Sequence, residues 1–235
     1  MSSSQPTASD RREFLGRIAA AASAVALLSG AGCASPLAAG AQSLTATPSS
    51  GRAFDDTWTQ RVSAAKHRAV FDSPGVEAGL ALTHSVTYLT GYREMFPDSE
   101  AVAVVVMRHM GTVLAMNDAL WSRYELGEMV KLKDPSTDAM AKRNPFIHVD
   151  KSDKKALVEP EESLEALHAR GVILLACNRA LMGLGARLAE KFKRPVDEVR
   201  AEFRAGLVPG VVLQPSGIYA VARAQEAGCT FIKST

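Results

Sequence analysis

The chain has 235 residues, a formal net charge of +2 and 47% hydrophobic residues. These values are ordinary for a globular protein and predict one domain after an N-terminal segment. The near-neutral charge gives no electrostatic support for a nucleic-acid-binding or membrane-surface protein, so neither partner is predicted.

Residues 1–41 have the organisation of an export signal. Arg11 and Arg12 precede a Phe-Leu pair and an apolar, alanine-rich run over 18–28. Paired arginines before a modest apolar run are typical of a twin-arginine signal peptide, and the run is shorter than the roughly 20 residues of a membrane span. Small residues at 39 and 41 fit cleavage before Gln42. We therefore expect a periplasmic protein without a membrane span.

Cys33 raises a second possibility, a lipoprotein signal with the lipid on that cysteine. The residues before Cys33 lack the usual aliphatic residue three positions upstream, which favours a soluble exported protein. Residues 42–65 are rich in Ser, Thr, Ala and Gly and predict a linker, with one short helix near 55–62. Trp58 in that helix is expected to dock on the following domain.

Between residues 66 and 235, short apolar runs alternate with helical patterns. The predicted strands are 67–72, 101–107, 171–177, 207–214 with an interruption at Pro209-Gly210, and 229–232. The predicted helices are 77–96, 113–126, 161–170, 178–192, 196–203 and a last helix that ends at Gly228. Unbroken apolar strands alternating with helices are typical of a parallel sheet covered on both faces. We therefore predict a single-domain, three-layer α/β fold with a mostly parallel five-stranded sheet.

The polar stretch 127–160 interrupts this alternation. It contains several lysines and two proline turns, at Asp134-Pro135 and Asn144-Pro145. Connections longer than about 12–15 residues without structure of their own are usually lids, binding loops or disordered. We expect some short helix within the stretch, and both a lid and a solvated insertion remain open.

Cys177 occupies the most suggestive position in the chain, because it ends a buried strand and precedes a helix. Carboxyl ends of parallel strands meet at the edge where α/β proteins bind ligands. A helix N-terminus stabilises an anion, so a thiol placed there is expected to ionise readily. Free cysteine is also among the most buried residue types, which leaves a purely structural role open.

Several other polar residues follow predicted strands and should reach the same edge. A cation beside the thiol would favour the nucleophilic thiolate, and an imidazole could move a proton. Free N–H groups would add further donors. The predicted catalytic residues are Cys177, His109 and Arg179, and the predicted binding residues are Arg108, Asn178, Ser216 and Gly217.

The chain has no dinucleotide-binding, Walker or common zinc motif, so no cofactor is predicted. A weaker alternative is a Cu(I) site, since thioethers and imidazole bind that ion in exported proteins. Its candidate ligands are Met107, His109, Met110 and Met116. Cys177 ends a strand whereas Cys229 begins one, so a parallel sheet would keep them apart and no disulfide between them is expected.

The chain resembles DsrE/DsrF-like sulfur-relay proteins in the order of its elements and in two segments. These are the Gly-Val-Ile-Leu-Leu-Ala-Cys-Asn run at 171–178 and the closing Gln-Glu-Ala-Gly-Cys-Thr-Phe-Ile segment at 225–232. The resemblance covers about residues 67–235 and implies a compact α/β domain that assembles into trimers or hexamers. In some members the cysteine matching Cys177 carries a persulfide and hands its sulfur to a partner protein. Those relay members are cytoplasmic, whereas this chain is predicted to be exported and carries the additional stretch 127–160.

The sequence therefore favours a periplasmic sulfur-handling protein in which Cys177 is the thiolate or persulfide carrier. Its expected partners are a sulfur donor or acceptor protein and further copies of the chain. The main alternative is a binding module without catalysis, whose cleft holds a small anion or a partner segment. A copper-binding protein is the third possibility.

Overall fold

The computed structural model describes residues 53–235, which build a five-stranded sheet in the order β4-β3-β2-β1-β5. All four strand pairs are parallel. The strands are β1 His67–Ser73, β2 Ala101–Met107, β3 Ile173–Cys177, β4 Val211–Gln214 and β5 Thr230–Lys233. The predicted α/β fold is confirmed. The predictions for residues 1–41 and Cys33, and for residues 42–52 of the predicted linker, lie outside the described residues.

Helices cover both faces of the sheet. They are α1 Trp58–Ala64, α2 Leu80–Met95, α3 Asp118–Arg123, α4 Leu126–Met129, α5 Leu164–Ala169, α6 Asn178–Lys191, α7 Val196–Ala205 and α8 Gly217–Glu226. The described part of the chain also forms the 3₁₀ helices Glu77–Gly79, His109–Ala115 and Pro160–Glu162. None of the described helices combines the length and apolar character needed to cross a membrane.

The alternation of side chains along each strand produces two hydrophobic cores. Phe71, Val105 and Leu174 point to the face covered by α2 to α7. The neighbouring residues of the same strands, such as Leu175, point to the face covered by α1 and α8. Trp58 is buried in this second core, as predicted. The chain therefore crosses from one face to the other after β4.

The continuous helix predicted over 113–126 is wrong. The chain first forms the 3₁₀ helix His109–Ala115, and a new helix then begins after Asn117. The Asn117 side chain accepts a hydrogen bond from the backbone N–H of Leu120 at 3.0 Å. Asparagine is a favoured N-cap residue because its side chain satisfies such a free donor. The cap therefore starts a separate helix where an uninterrupted one was predicted.

The fourth strand is shorter than predicted and begins at Val211. Pro209 cannot donate a ladder hydrogen bond, and Gly210 has a φ of 85°, which is outside the extended region. Leu207 instead forms an isolated antiparallel bridge with Met116. The local turn therefore delays the parallel pairing until residue 211.

The stretch 127–160 packs on the core rather than forming a solvated insertion. Phe146 is completely buried. The Asn144 side-chain amide donates hydrogen bonds to the carbonyls of Leu114 and Met116, both at 2.8 Å. The buried carboxylate of Asp134 accepts a hydrogen bond from Arg143 at 2.7 Å. These contacts make much of the stretch an integral part of the domain.

Candidate functional site

A cavity of about 280 Å³ opens at the carboxyl ends of β2, β3 and β4. The helices that follow β3 and β4 pack on opposite faces of the sheet, so the two preceding loops diverge. Such a divergence is where open α/β sheets bind ligands. The cavity is lined by Arg108, His109, Cys177, Arg179, Ala180, Ser216, Gly217 and Ile218. All predicted site residues except Asn178 are therefore in one place.

Cys177 is both the last residue of β3 and the N-cap of α6. Its Sγ accepts a hydrogen bond from the backbone N–H of Ala180 at 3.3 Å. The helix that begins there is 14 residues long, so its N-terminus directs partial positive charge at the sulfur. Cys177 is only 6% exposed and contributes to the lining of the cavity. The thiol-bearing residue is therefore largely buried but borders the cavity.

Arg108 lies at the end of β2, but its charge is already paired. Its Nε and Nη2 donate hydrogen bonds to the two carboxylate oxygens of Asp72 at 2.6 and 2.7 Å. These bonds raise the pKa of Arg108, with a smaller contribution from the nearby Cys177. Arg108 therefore approaches the thiol as one half of an ion pair rather than as a free cation. Sequence reasoning missed Asp72, although an acidic residue that closes a buried strand was a visible signal.

Arg179 and His109 are the exposed polar side chains of the cavity. Within residues 53–235 neither has a hydrogen-bond or ion-pair partner. His109 begins its 3₁₀ helix with a φ of 47°, a left-handed conformation that histidine adopts more readily than most residues. Arg179 and His109 therefore remain available to a molecule that enters the cavity.

Ser216 and Gly217 shape the opposite wall. The Ser216 Oγ accepts a hydrogen bond from the backbone N–H of Tyr219 at 3.0 Å and so caps α8. A Cβ atom on Gly217 would lie 2.3 Å from the Arg108 Cβ, so only glycine permits this close approach. Asn178 is not part of the lining, and its Oδ1 is buried without a hydrogen-bond partner among the described residues. The prediction that Asn178 lies in the cavity with the other site residues is therefore corrected.

The four candidate copper ligands do not share one site. Met107 and Met116 are completely buried in the larger core. Met110 lines a different cavity from the one that contains His109. Residues 53–235 also contain no group of three or more His, Cys, Asp or Glu side chains arranged to hold a metal ion. The arrangement therefore gives no support to the copper alternative.

Cys229 lies directly before β5 and is 7% exposed. Strands β2 and β1 separate β5 from β3, a distance of about 14 Å at the usual spacing of neighbouring strands. Both Cys177 and Cys229 are free thiols. Burial raises the pKa of Cys229 to about 11. The second cysteine is therefore a packed residue remote from the cavity.

A larger cavity of about 570 Å³ lies against the other side of the first turn of α8. Its lining includes Phe54, Tyr219 and Arg223 but no cysteine or histidine. Arg223 is engaged with Glu226 at 2.6 Å. The smaller cavity is therefore the better candidate for chemistry, because it contains the nucleophile and unpaired polar groups.

No protein-family model matches the chain, and the search of curated proteins finds no significant match. The function must therefore be argued from the cavity around Cys177.

Proposed function

We propose that the protein carries sulfane sulfur on Cys177, in the manner of the DsrE/DsrF-like proteins that its sequence resembles. The supporting observation is the position of the thiol. Cys177 caps a long helix and opens on a cavity of about 280 Å³, with the unpaired Arg179 in its lining. A cysteine in such electropositive, partly accessible surroundings is suited to nucleophilic attack on sulfur.

The transfer step requires no external oxidant. The Cys177 thiolate attacks the outer sulfur of a donor persulfide, a new S–S bond forms, and the donor S–S bond breaks. The donor thiolate leaves with the electron pair of that bond. With thiosulfate as donor, sulfite leaves in the same way. The helix N-terminus and Arg179 would stabilise the anionic persulfide, and a protonated His109 could donate a proton to a leaving thiolate.

Mass spectrometry of the intact protein tests this proposal. Incubation with thiosulfate or with a glutathione persulfide should add the mass of one sulfur atom, and dithiothreitol should remove it. The adduct should be lost in Cys177→Ser and kept in the matched control Cys229→Ser. An unmodified wild-type protein, or an adduct on Cys229, would refute the carrier function.

A binding module without catalysis is the second candidate, and the exposed Ile218 in the cavity lining favours it. This side chain is 65% exposed, which suits contact with an apolar part of a ligand or partner segment. Calorimetric titration with sulfite or thiosulfate separates the two functions. Binding that persists in Cys177→Ser, without a sulfur adduct on the wild-type protein, would favour this candidate.

We also infer that the protein is exported to the periplasm through the twin-arginine route. The inference depends on Arg11, Arg12 and the apolar run that follows them. Replacing both arginines by lysine should retain the precursor in the cytoplasm, as measured by cell fractionation and immunoblotting. Export that continues unchanged would contradict the inference.

The resemblance further supports assembly into trimers or hexamers. Apolar side chains on the described surface are compatible with such contacts, since Met95, Phe96 and Phe231 are 72%, 45% and 43% exposed. β5 is also an edge strand, with backbone groups open to pairing. Light scattering of the purified mature protein should give a multiple of the protomer mass, and a monomer mass would contradict this proposal.

A further inference from the structure

Asp72 is a buried carboxylate at the same edge of the sheet as Cys177, and the proposed transfer does not use it. Its side chain is 6% exposed, and that of its partner Arg108 is 18% exposed. Both carboxylate oxygens accept hydrogen bonds from the guanidinium group. A two-point ion pair so poorly exposed to water is both strong and directional, because the fork of donors matches the carboxylate.

Arg108 is also restricted from two other directions. Its backbone N–H donates a hydrogen bond to the carbonyl of Ser73 at 3.0 Å. The backbone at Gly217 lies so close that an added Cβ would be 2.3 Å from the Arg108 Cβ. Rotation of the guanidinium toward an anion in the cavity would break its two-point pair with Asp72.

We infer that Asp72 sets the charge selectivity of the Cys177 cavity by neutralising Arg108, so that Arg179 is the cation that receives anionic substrates. The inference rests on the proposed function only in treating Cys177 as the reacting group. It predicts that the preferred sulfur donors carry a negative group that can pair with the Arg179 guanidinium. Arg108 supplies a wall of the cavity and no net charge.

The test compares an anionic reagent, iodoacetate, with a neutral one, iodoacetamide, on Cys177 in a Cys229→Ser background. The same Cys177 thiolate attacks both reagents. The ratio of their second-order rate constants therefore cancels changes in ionisation and accessibility and reports the charge felt by the reagent. Mass spectrometry of the alkylated protein at about pH 8 gives both constants.

Asp72→Asn should leave the Arg108 charge unpaired and raise the iodoacetate-to-iodoacetamide ratio, roughly 3- to 10-fold. Arg108→Gln should leave the carboxylate unpaired and lower the ratio by a similar factor. The double variant, in which the pair is neutral, should return to the wild-type ratio. Arg179→Gln should lower the ratio, whereas Arg187→Gln, an exposed change on the same helix outside the cavity lining, should not.

Opposite shifts in the two single variants cannot come from simple loosening of the fold, because loosening affects both reagents alike. The inference is overturned if Asp72→Asn leaves the ratio unchanged or if both single variants shift it in the same direction. If one of the single variants fails to fold, two other results still overturn the inference. One is a double variant whose rate-constant ratio differs from the wild-type ratio. The other is an Arg179→Gln protein whose ratio equals the wild-type ratio. Absence of a sulfur adduct in the separate transfer assay would refute the proposed function but not the charge selectivity.

Discussion

At the scale of single residues, the two described cysteines differ in surroundings rather than in exposure. Cys177 is 6% exposed and Cys229 is 7% exposed. The Cys177 sulfur accepts a helix N-terminal hydrogen bond and faces a cavity, whereas Cys229 lies in the smaller core near β5. From its position at the helix N-terminus, we therefore expect Cys177 to be the more reactive thiol.

This difference predicts that iodoacetamide modifies Cys177 at least about tenfold faster than Cys229 near neutral pH. The pKa of Cys229 is raised to about 11 by burial, so its reactive thiolate is scarce at pH values well below that. Peptide mapping after timed alkylation measures both rates. Equal rates, or faster modification of Cys229, would contradict the assignment of Cys177 as the nucleophile.

At the scale of elements, the start of α8 lines the cavity beside Arg108. Ser216 caps the helix, and the next residue, Gly217, lies directly against Arg108. The lack of a side chain at 217 lets the helix approach the strand end without a collision. The first turn of α8 therefore acts as one wall of the site.

Gly217→Ala should destabilise the protein by roughly 1–3 kcal/mol, because the new methyl group would overlap the Arg108 side chain that Asp72 holds in place. The matched control is Gly183→Ala on the exposed side of α6, where an added Cβ would meet no atom within 4 Å. That change should stabilise the helix by about 0.5–1 kcal/mol. Urea denaturation measures both. If Gly217→Ala leaves the urea midpoint unchanged, the contact between residue 217 and the Arg108 side chain can adjust to the new methyl group without loss of stability.

At the scale of the whole molecule, a cluster of charges connects α3, α7 and the loop before α7. Arg194 donates to Glu202 at 2.7 Å, and the buried Tyr124 donates to the same carboxylate at 2.6 Å. The hydrogen bonds from Arg194, followed by those from Tyr124, lower the pKa of Glu202 to about 2. The folded state therefore favours the ionised carboxylate.

A carboxylate with a lowered pKa adds stability above its unfolded pKa, and this contribution is lost as the pH falls toward the folded value. For Glu202 the window extends from about 4.5 to about 2. Glu202→Gln should be less stable than the wild type at neutral pH, and the difference should shrink on acidification through this window. Urea midpoints measured across that range test the prediction. If the difference between the two urea midpoints does not change with pH, the charge of Glu202 contributes nothing to stability.

The sequence by itself was sufficient for the class of fold and for much of the site, because both follow from local patterns. An unbroken apolar run ending in Cys177 and followed by a helical pattern predicts a strand that leads directly into a helix. Once the strands are parallel, their carboxyl ends share an edge, so Arg108, His109 and Ser216 could be placed beside the cysteine. The exclusion of Asn178 could not be predicted, since the direction of a side chain at a helix start depends on its packing.

The tertiary structure alone decided the order of the strands and the state of the charges. The pairing of Asp72 with Arg108 joins residues from neighbouring strands, and no local pattern specifies which strands become neighbours. The same holds for Phe146, whose burial depends on distant core residues. The Asn117 cap is different, because it joins residues only three positions apart and is a local signal that the predicted continuous helix overlooked. Local propensity arises from the nearest few residues, whereas burial and ion pairing arise from groups that meet only after the chain has folded.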